Sequence, residues 1–399
     1  MRLRKMSNNV PRKIPKVLTE LDQLRGTVKC GDIEFGVEGR VYLDESWKPT
    51  FEGSADAVLI PHNISGTELE LIDDLGHSVQ CKGVHITKIC AEPFNNISNF
   101  RAYVSEVLIA NDELQKKDTL HVFDAVVIPP FHGAELDFIK PGTRLYGDTI
   151  ENIRECNGYL YTPLSSLTDL GQHDSRVDKL SYLLSFAAAQ FVGFPWQGVW
   201  NDDESIYHIR FRDLIEPYTT GASIFHLKYP GILQNYLERA WSAWDKHTDW
   251  DKHTEQLDLP ALIDLYVLLK DQSHIETRML IGSLWMEAIK YQYAKNVAGY
   301  QQNENDFFLN PNGKKFSFKE LLKEVYKHYN VPNGDLSFIP YRNEVVHQGK
   351  ITKLSVPGQP DPSEGLIRSI EYTLLMILEY EGEMRDEESK KYIKFPPRC

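Results

Sequence analysis

The sequence predicts an α+β protein of several domains, with a β-rich N-terminal region of sandwich or barrel type, a mixed middle segment and an all-helical C-terminal bundle. Short alternating or β-branched runs between Gly, Pro and Asn turns fill the first third of the chain. From Pro230 onward, apolar residues instead recur with the 3.6-residue period of helices. With 399 residues, of which 42% are hydrophobic, the chain is large enough for two or three cores.

The N-terminal third divides into an arm and a β domain. Residues 1–25 are predicted to form a flexible basic arm, because MRLRKMSNNVPRK lacks the apolar stretch of a secretory signal. Residues 26–144 are the predicted β-rich sensor or regulatory domain, with runs such as GDIEFGVEGRVYLD and HVFDAVVIPPF. Neither a GxxxxGK[ST] loop nor a GxGxxG loop follows a strand, so the sequence does not indicate nucleotide binding.

The remainder of the chain is predicted to be increasingly helical. Residues 145–230 form an α+β middle segment that we expect to pack on the N-terminal domain, with a helix at 176–192. A helix and a connection follow at 231–257, before a helical domain at 258–399. The predicted helices of this part are 232–246, 259–270, 274–296, 317–329, 338–348 and 363–381.

Composition restricts the classes of function. The five cysteines form no CxxC pair, which argues against a disulfide framework or a zinc knuckle and favours the reducing cytoplasm. No apolar run approaches the ~20 residues of a membrane span, so we expect no membrane partner. The net charge of −13 argues against a general nucleic-acid coat, although a nuclease needs only a local positive site.

A tandem repeat raises a metal hypothesis. WDKHTD at 244–249 is followed by WDKHTE at 250–255, which brings His247 and His253 close in sequence. Six residues turn a helix by about 240°, so the two imidazoles would not converge on one ion. We therefore expect a solvated connection here and neither a metal nor another cofactor in the protein.

The stretch RNEVVHQG, residues 342–349, carries the candidate catalytic residues Arg342, Asn343 and His347. Their spacing alone means little, because an Arg and a His separated in this way are expected by chance in a chain of this size. The context is more informative: Pro340 suits the first turn of a helix and Gly349 the position just after its end. His347 then lies in the last turn, where the helix dipole favours an imidazolium.

The helical geometry predicts a site shared by two copies of the chain. Asn343 and His347 are about 40° apart around the axis and share a face, whereas Arg342 and His347 are about 140° apart. A homodimer would bring the Arg342 of one copy near the His347 of the other. Such a set could cleave RNA through its own 2′-hydroxyl, with His347 as general acid or base and Arg342 stabilising the phosphorane. Asn343 would orient the His or hold a phosphate oxygen.

RNEVVHQG, preceded by the long predicted helix IETRMLIGSLWMEAIKYQYAKN, resembles the HEPN domain superfamily over about residues 258–385. The resemblance implies a metal-independent endoribonuclease that dimerises through this domain. It also implies an acidic residue on the long helix facing the motif, for which Glu287 and Glu276 are the candidates. The HEPN resemblance also makes tRNA the expected substrate. A β-rich region followed by such a domain is similar to the ApeA-type abortive-infection proteins of bacteria, which implies an anti-phage role and a phage-derived trigger protein.

Candidate RNA-binding residues lie on both sides of the motif: Lys315, Lys319, Lys323, Tyr341 and Lys350. The first three recur every four residues, which predicts a basic stripe, but Glu320 and Glu324 interleave with it. An ordinary solvated helix face is therefore the alternative for these lysines, as it is for the two candidate glutamates. The alternative function is a noncatalytic HEPN dimer that binds a phage or cellular protein.

Overall fold

The fold is that of a computed structural model. It describes residues 20–30, 33–43, 49–55, 67–74, 76–92, 97–110, 120–127, 135–139, 143–146, 158–165, 169–200, 206–212, 223–225, 230–249, 254–255, 257–351, 361–386 and 389–397. The chain divides into two compact units. The first contains Met1–Val127, Asp148–Gly171 and Phe194–Leu214, and the second contains Ile128–Gly147, Gln172–Gly193 and Ile215–Cys399.

Strands make up most of the described first unit and helices most of the second. The strands are β1 (Glu20–Cys30), β2 (Ile33–Leu43), β3 (Pro49–Ala55), β4 (Thr67–Ile72), β5 (Ser78–Glu92), β6 (Ile97–Tyr103), β7 (Glu106–Ala110), β8 (Leu120–Val127), β9 (Glu135–Ile139), β10 (Thr143–Tyr146), β11 (Gly158–Leu164), β12 (Gly193–Trp200), β13 (Ile206–Arg212), β14 (Thr248–Asp249), β15 (Thr254–Glu255), β16 (Gly382–Arg385) and β17 (Tyr392–Phe395). The helices are α1 (Leu170–Ala188), α2 (Pro230–His247), α3 (Leu259–Asp271), α4 (Ile275–Gln292), α5 (Phe318–His328), α6 (Ile339–Gln348) and α7 (Pro362–Ile377).

Six strands of the first unit close into an antiparallel barrel, in the order β1-β2-β3-β6-β5-β4, with β4 pairing back onto β1. This confirms the prediction of a barrel-like N-terminal region. Alternate apolar side chains fill the interior, where the rings of Phe51 and Phe100 lie 5.2 Å apart. Gly39 and Gly53, which pair across β2 and β3, leave the room that Phe51 occupies. A Cβ at Gly39 would lie 2.9 Å from the Phe51 ring.

Strand pairing continues from the barrel through β7. In the first unit β7 pairs with both β5 and β13. The sheet then continues from β13 to β12 and from β12 to β8. Here Trp200 contacts Trp196 and Phe123, at ring distances of 5.5 and 5.3 Å. Gln197 donates a 2.8 Å hydrogen bond to the fully buried Asp124 carboxylate. A buried polar pair therefore lies beside this aromatic core.

The helix α4 is the centre of the C-terminal bundle, since it contacts α3, α5, α6 and α7. Trp285, Met286 and Ile289 form its buried face, and the Trp285 indole donates to the Leu262 carbonyl at 2.8 Å. At Gly282 the backbone approaches α7 closely, because a Cβ there would lie 2.5 Å from Leu366 Cδ2. Within the described ranges, no helix is long and apolar enough to cross a membrane.

The structure differs from the sequence prediction at the start of the chain. Strand β1 begins at Glu20 and so takes in residues 20–25, which were predicted to belong to the arm. Leu21 and Leu24 are buried, but the register shifts between them, where Gln23 has a φ of 57°. This bulge breaks the alternation on which strand prediction depends. Residues 1–19 lie outside the described part of the chain.

Two further predictions are refined by the fold. The middle segment is not one body, because its elements divide between the two units. Strands β11 and β13, and β12 from Phe194 onward, belong to the first unit, whereas α1 from Gln172 onward belongs to the second. The C-terminal region is not all-helical, because β16 and β17 pair as a hairpin that buries Met384 and Phe395. Strands of four residues are too short to show a period in the sequence.

Candidate functional site

The candidate catalytic motif lies on α6, a short helix whose ends are set by its sequence. Pro340 occupies its first turn, and Gly349 closes it with a left-handed φ of 70°, donating from its N–H to the Val345 carbonyl at 2.8 Å. Val345 is its buried residue and anchors the helix to the bundle. The other side chains of α6 are therefore left to contact neighbouring helices or solvent.

Arg342 extends from α6 toward α4 and α5. Its Nη2 lies 2.7 Å from Glu287 Oε1, and its guanidinium carbon lies 4.6 Å from the centre of the Phe318 ring. Nη1 donates to Asn343 Oδ1 at 3.1 Å. The side chain is only 16% exposed. Among the residues that the structure describes, its buried Nε has no hydrogen-bond partner. The guanidinium is thus held by its two Nη atoms, while its Nε–H remains an unused donor.

Lys290 completes a cluster of charges around Glu287. Its Nζ lies 2.7 Å from Glu287 Oε2 and 4.1 Å from the Phe318 ring centre. Burial lowers the pKa of Lys290, while the hydrogen bond and the charge of Glu287 act in the opposite direction. Two cations, Arg342 and Lys290, thus share a single carboxylate. A nearby anion would find one uncompensated positive charge here.

The imidazole of His347 does not join this cluster. His347 is exposed in the last turn of α6, on the side of Asn343 and about 140° around the axis from Arg342. Glu276, the other candidate acid, lies in the first turn of α4, about 16 Å along the axis from Glu287. The structure therefore brings Glu287 and Asn343 to Arg342 but leaves His347 and Glu276 apart from it.

The predicted RNA-binding lysines occupy three different settings. Lys319 is exposed on α5, and Lys350 is exposed just after α6, where Tyr341 is half-buried. Lys323 borders a concavity of about 350 Å³ whose lining also includes Glu320 and Glu324. Lys315 lies with its Nζ 3.0 Å from the centre of the Phe307 ring. Lys315 is therefore the one of these lysines that the structure places beside an exposed aromatic ring.

Sequence reasoning missed Lys290 and Phe318. The one signal for Lys290 is its position three residues after Glu287, a spacing that places both on one side of a helix. Phe318 gives no signal of its own, because its contact with Arg342 depends on how α5 packs on α4 and α6. The cluster is thus a product of tertiary packing.

Exposed apolar side chains surround the motif. Leu280, Leu284 and Tyr291 are exposed on α4 and share one face with Glu287, since their spacings are four, three and four residues. On α6, Val346 is exposed directly before His347. This face of the bundle is therefore apolar around a charged centre.

A second concave surface lies on the barrel of the first unit. It is a groove of about 900 Å³ that crosses five strands and has charged side chains along it: Asp22, Arg25, Glu38, Arg40, Glu52, Lys88 and Arg101. Arg40 pairs with Glu52 at 2.8 Å and lies 5.0 Å from the Tyr42 ring centre. Four of these charged side chains are basic and three are acidic. The groove therefore has a small excess of positive charge, whereas the net charge of the whole chain is −13.

The described residues contain no group of three or more His, Cys, Asp or Glu side chains able to hold a metal ion. His253 of the tandem repeat lies outside the described ranges, and β14 and β15 pair on either side of it. No family model, no curated protein and no solved structure matches the chain. The resemblance to HEPN domains therefore depends on the motif and its helical setting alone.

Proposed function

We propose that the protein is a metal-independent endoribonuclease of the HEPN type, acting in bacterial defence against phage by abortive infection. The observation that carries the proposal is the cluster of Arg342, Lys290 and Glu287 beside the capped helix that presents His347. Its net positive charge, in a chain of net charge −13, suits the phosphodiester of RNA. Transfer RNA is the substrate that the resemblance suggests.

The chemistry is transfer of the scissile phosphoryl group to the RNA's own 2′-oxygen. An imidazole at His347 takes the 2′-hydroxyl proton as the oxygen attacks phosphorus, and a proton is returned to the departing 5′-oxygen. The products are a 2′,3′-cyclic phosphate and a 5′-hydroxyl. Arg342 and Lys290 stabilise the extra negative charge of the phosphorane, and Asn343 holds a phosphate oxygen.

A second copy of the chain completes the site. On one helix Arg342 and His347 point about 140° apart, so one chain does not aim both at a single phosphate. Two motifs facing each other across a two-fold axis remove this difficulty. The exposed Leu280 and Leu284 next to Glu287, with Val346 on α6, supply apolar surface that supports self-association of this kind.

The barrel is proposed to sense the trigger or to restrain the nuclease. Its groove of about 900 Å³, with both basic and acidic side chains, supports a recognition role. A phage-derived protein is the trigger that the resemblance suggests. Recognition by the first unit and cleavage by the second would then be separate tasks.

The deciding experiment compares the wild-type protein with His347→Ala in phage-infected cells. We expect wild-type cells to accumulate RNA fragments that end in 2′,3′-cyclic phosphate, and the variant to lose them by a factor of about 10² or more. His274→Ala is the matched control, because His274 is also exposed at a helix end and makes no capping hydrogen bond. Intact RNA in infected wild-type cells would refute the nuclease and favour the noncatalytic dimer that binds a phage or cellular protein.

A further inference from the structure

Two exposed aromatic rings lie on the second unit, each with a lysine beside it. Tyr291 is 46% exposed and Phe307 is 44% exposed. Lys295 Nζ lies 5.4 Å from the centre of the Tyr291 ring and 3.3 Å from its hydroxyl. Lys315 Nζ lies 3.0 Å from the centre of the Phe307 ring. Both rings are therefore partly exposed to solvent and have a positive charge beside them.

The fold fixes Tyr291 next to the charged cluster and Phe307 on a segment that packs against Tyr291. Tyr291 follows Glu287 by four residues on α4, so it lies on the same face and about 6 Å farther along the axis. Phe308 is buried and packs edge-on against Tyr291 at 5.6 Å, and its chain neighbour Phe307 stays exposed. Backbone bridges hold the segment that carries both phenylalanines, from Gln302 to Phe308 and from Leu309 to Lys315.

This placement distinguishes the rings from ordinary surface residues. A π-helical turn at Tyr293–Val297 ends α4, and the chain then returns so that Phe308 meets Tyr291. Exposed rings with flanking lysines are the means by which proteins hold single-stranded nucleic acid, because each base has a π-face and each phosphate a charge.

We propose that Tyr291, Phe307, Lys295 and Lys315 form a stacking platform for unpaired bases adjacent to the cleaved phosphodiester. The inference rests on the proposed ribonuclease function and adds a specificity to it. Bases can stack on the two rings only when they are splayed out of a helix, whereas an A-form duplex presents phosphates and 2′-hydroxyls. On binding, the lysines move from the ring faces to the backbone phosphates. The platform therefore selects unpaired segments of RNA.

The test measures binding separately from cleavage. The full-length His347→Ala protein is titrated into a fluorescent unstructured RNA and into the same RNA annealed to its complement, with anisotropy as the readout. Adding Tyr291→Ala and Phe307→Ala is expected to weaken binding of the single strand by about tenfold or more and to leave duplex binding unchanged. Tyr392→Ala is the matched control, since Tyr392 is an exposed aromatic residue on the C-terminal hairpin.

Three results would overturn the platform: no change in single-strand binding, an equal loss for single strand and duplex, or dissociation of a parent dimer by the same substitutions in light scattering. The first shows that the rings do not bind RNA, the second that charge alone binds it, and the third that the rings belong to the dimer interface.

Cleavage by the chain with an intact His347 is assayed in parallel. Platform binding without cleavage would refute only the proposed function, whereas cleavage with unchanged strand preference in the ring variant would refute only the platform.

Discussion

Three of the described lysines in the second unit are buried, and the carboxylates beside them differ. Lys179 lies 2.6 Å from Asp245, and Lys270 lies 3.2 Å from the buried Glu371. Each of these two lysines is paired with a carboxylate in the structure. Lys290 shares Glu287 with Arg342, and both cations lie over Phe318. Positive charge therefore exceeds its compensation next to α6, where the proposed chemistry requires it.

The buried Lys179 makes stability depend on pH in the alkaline range. Burial lowers its pKa to about 8, against 10.5 for an ordinary lysine, although Asp245 opposes the shift. Between these two values the unfolded chain holds a proton that the folded chain has lost, so the contribution of Lys179 to stability rises as pH increases. We expect Lys179→Met to remove this rise. Urea unfolding from about pH 7.5 to 9.5 measures it.

An exposed lysine provides the control for this effect. Lys246, on α2, pairs with Glu379 at the surface. Lys246→Met should leave the alkaline slope of the wild-type protein unchanged. A slope that survives in Lys179→Met would show that other groups cause it.

At the scale of elements, the close approach of α4 and α7 depends on Gly282. Replacing a helical glycine by alanine ordinarily stabilises a helix by about 1 kcal/mol. Here the new Cβ would lie 2.5 Å from Cδ2 and 2.9 Å from Cγ of the fully buried Leu366. Overpacking of a core costs about 1–3 kcal/mol, so we expect Gly282→Ala to be destabilising by about 1 kcal/mol net. Chemical unfolding monitored by circular dichroism measures this change.

Gly231→Ala is the matched control, because Gly231 lies in the first turn of α2 and a Cβ there meets no atom within 4 Å. It should leave stability unchanged or raise it slightly. If both substitutions changed the free energy of unfolding equally, contact between the new Cβ and Leu366 would not be the cause of the destabilisation.

The helices could be predicted because their end signals are local. Asp258, Ser317 with Glu320, and Asp361 cap the starts of α3, α5 and α7, and Gly349 ends α6. The choice between a sandwich and a closed barrel could not be predicted, since closure requires β4 to pair with both β1 and β5. For the same reason the motif was visible in the sequence, but the contact of Arg342 with Phe318 and the carboxylate that it shares with Lys290 were not.

At the scale of the whole molecule, the divergence of Arg342 and His347 predicts that inactive chains restore each other. In a shared site, a dimer of Arg342→Ala with His347→Ala has one site lacking both residues and one retaining both. Random pairing makes half of the dimers mixed, with one of two sites intact, so co-expression should yield about a quarter of wild-type cleavage. Either variant alone should be inactive, which serves as the control. RNA cleavage by the purified mixture is the measurement. A mixture as inactive as its components would mean that one chain holds a complete site, and that α6 must rearrange to bring His347 to Arg342.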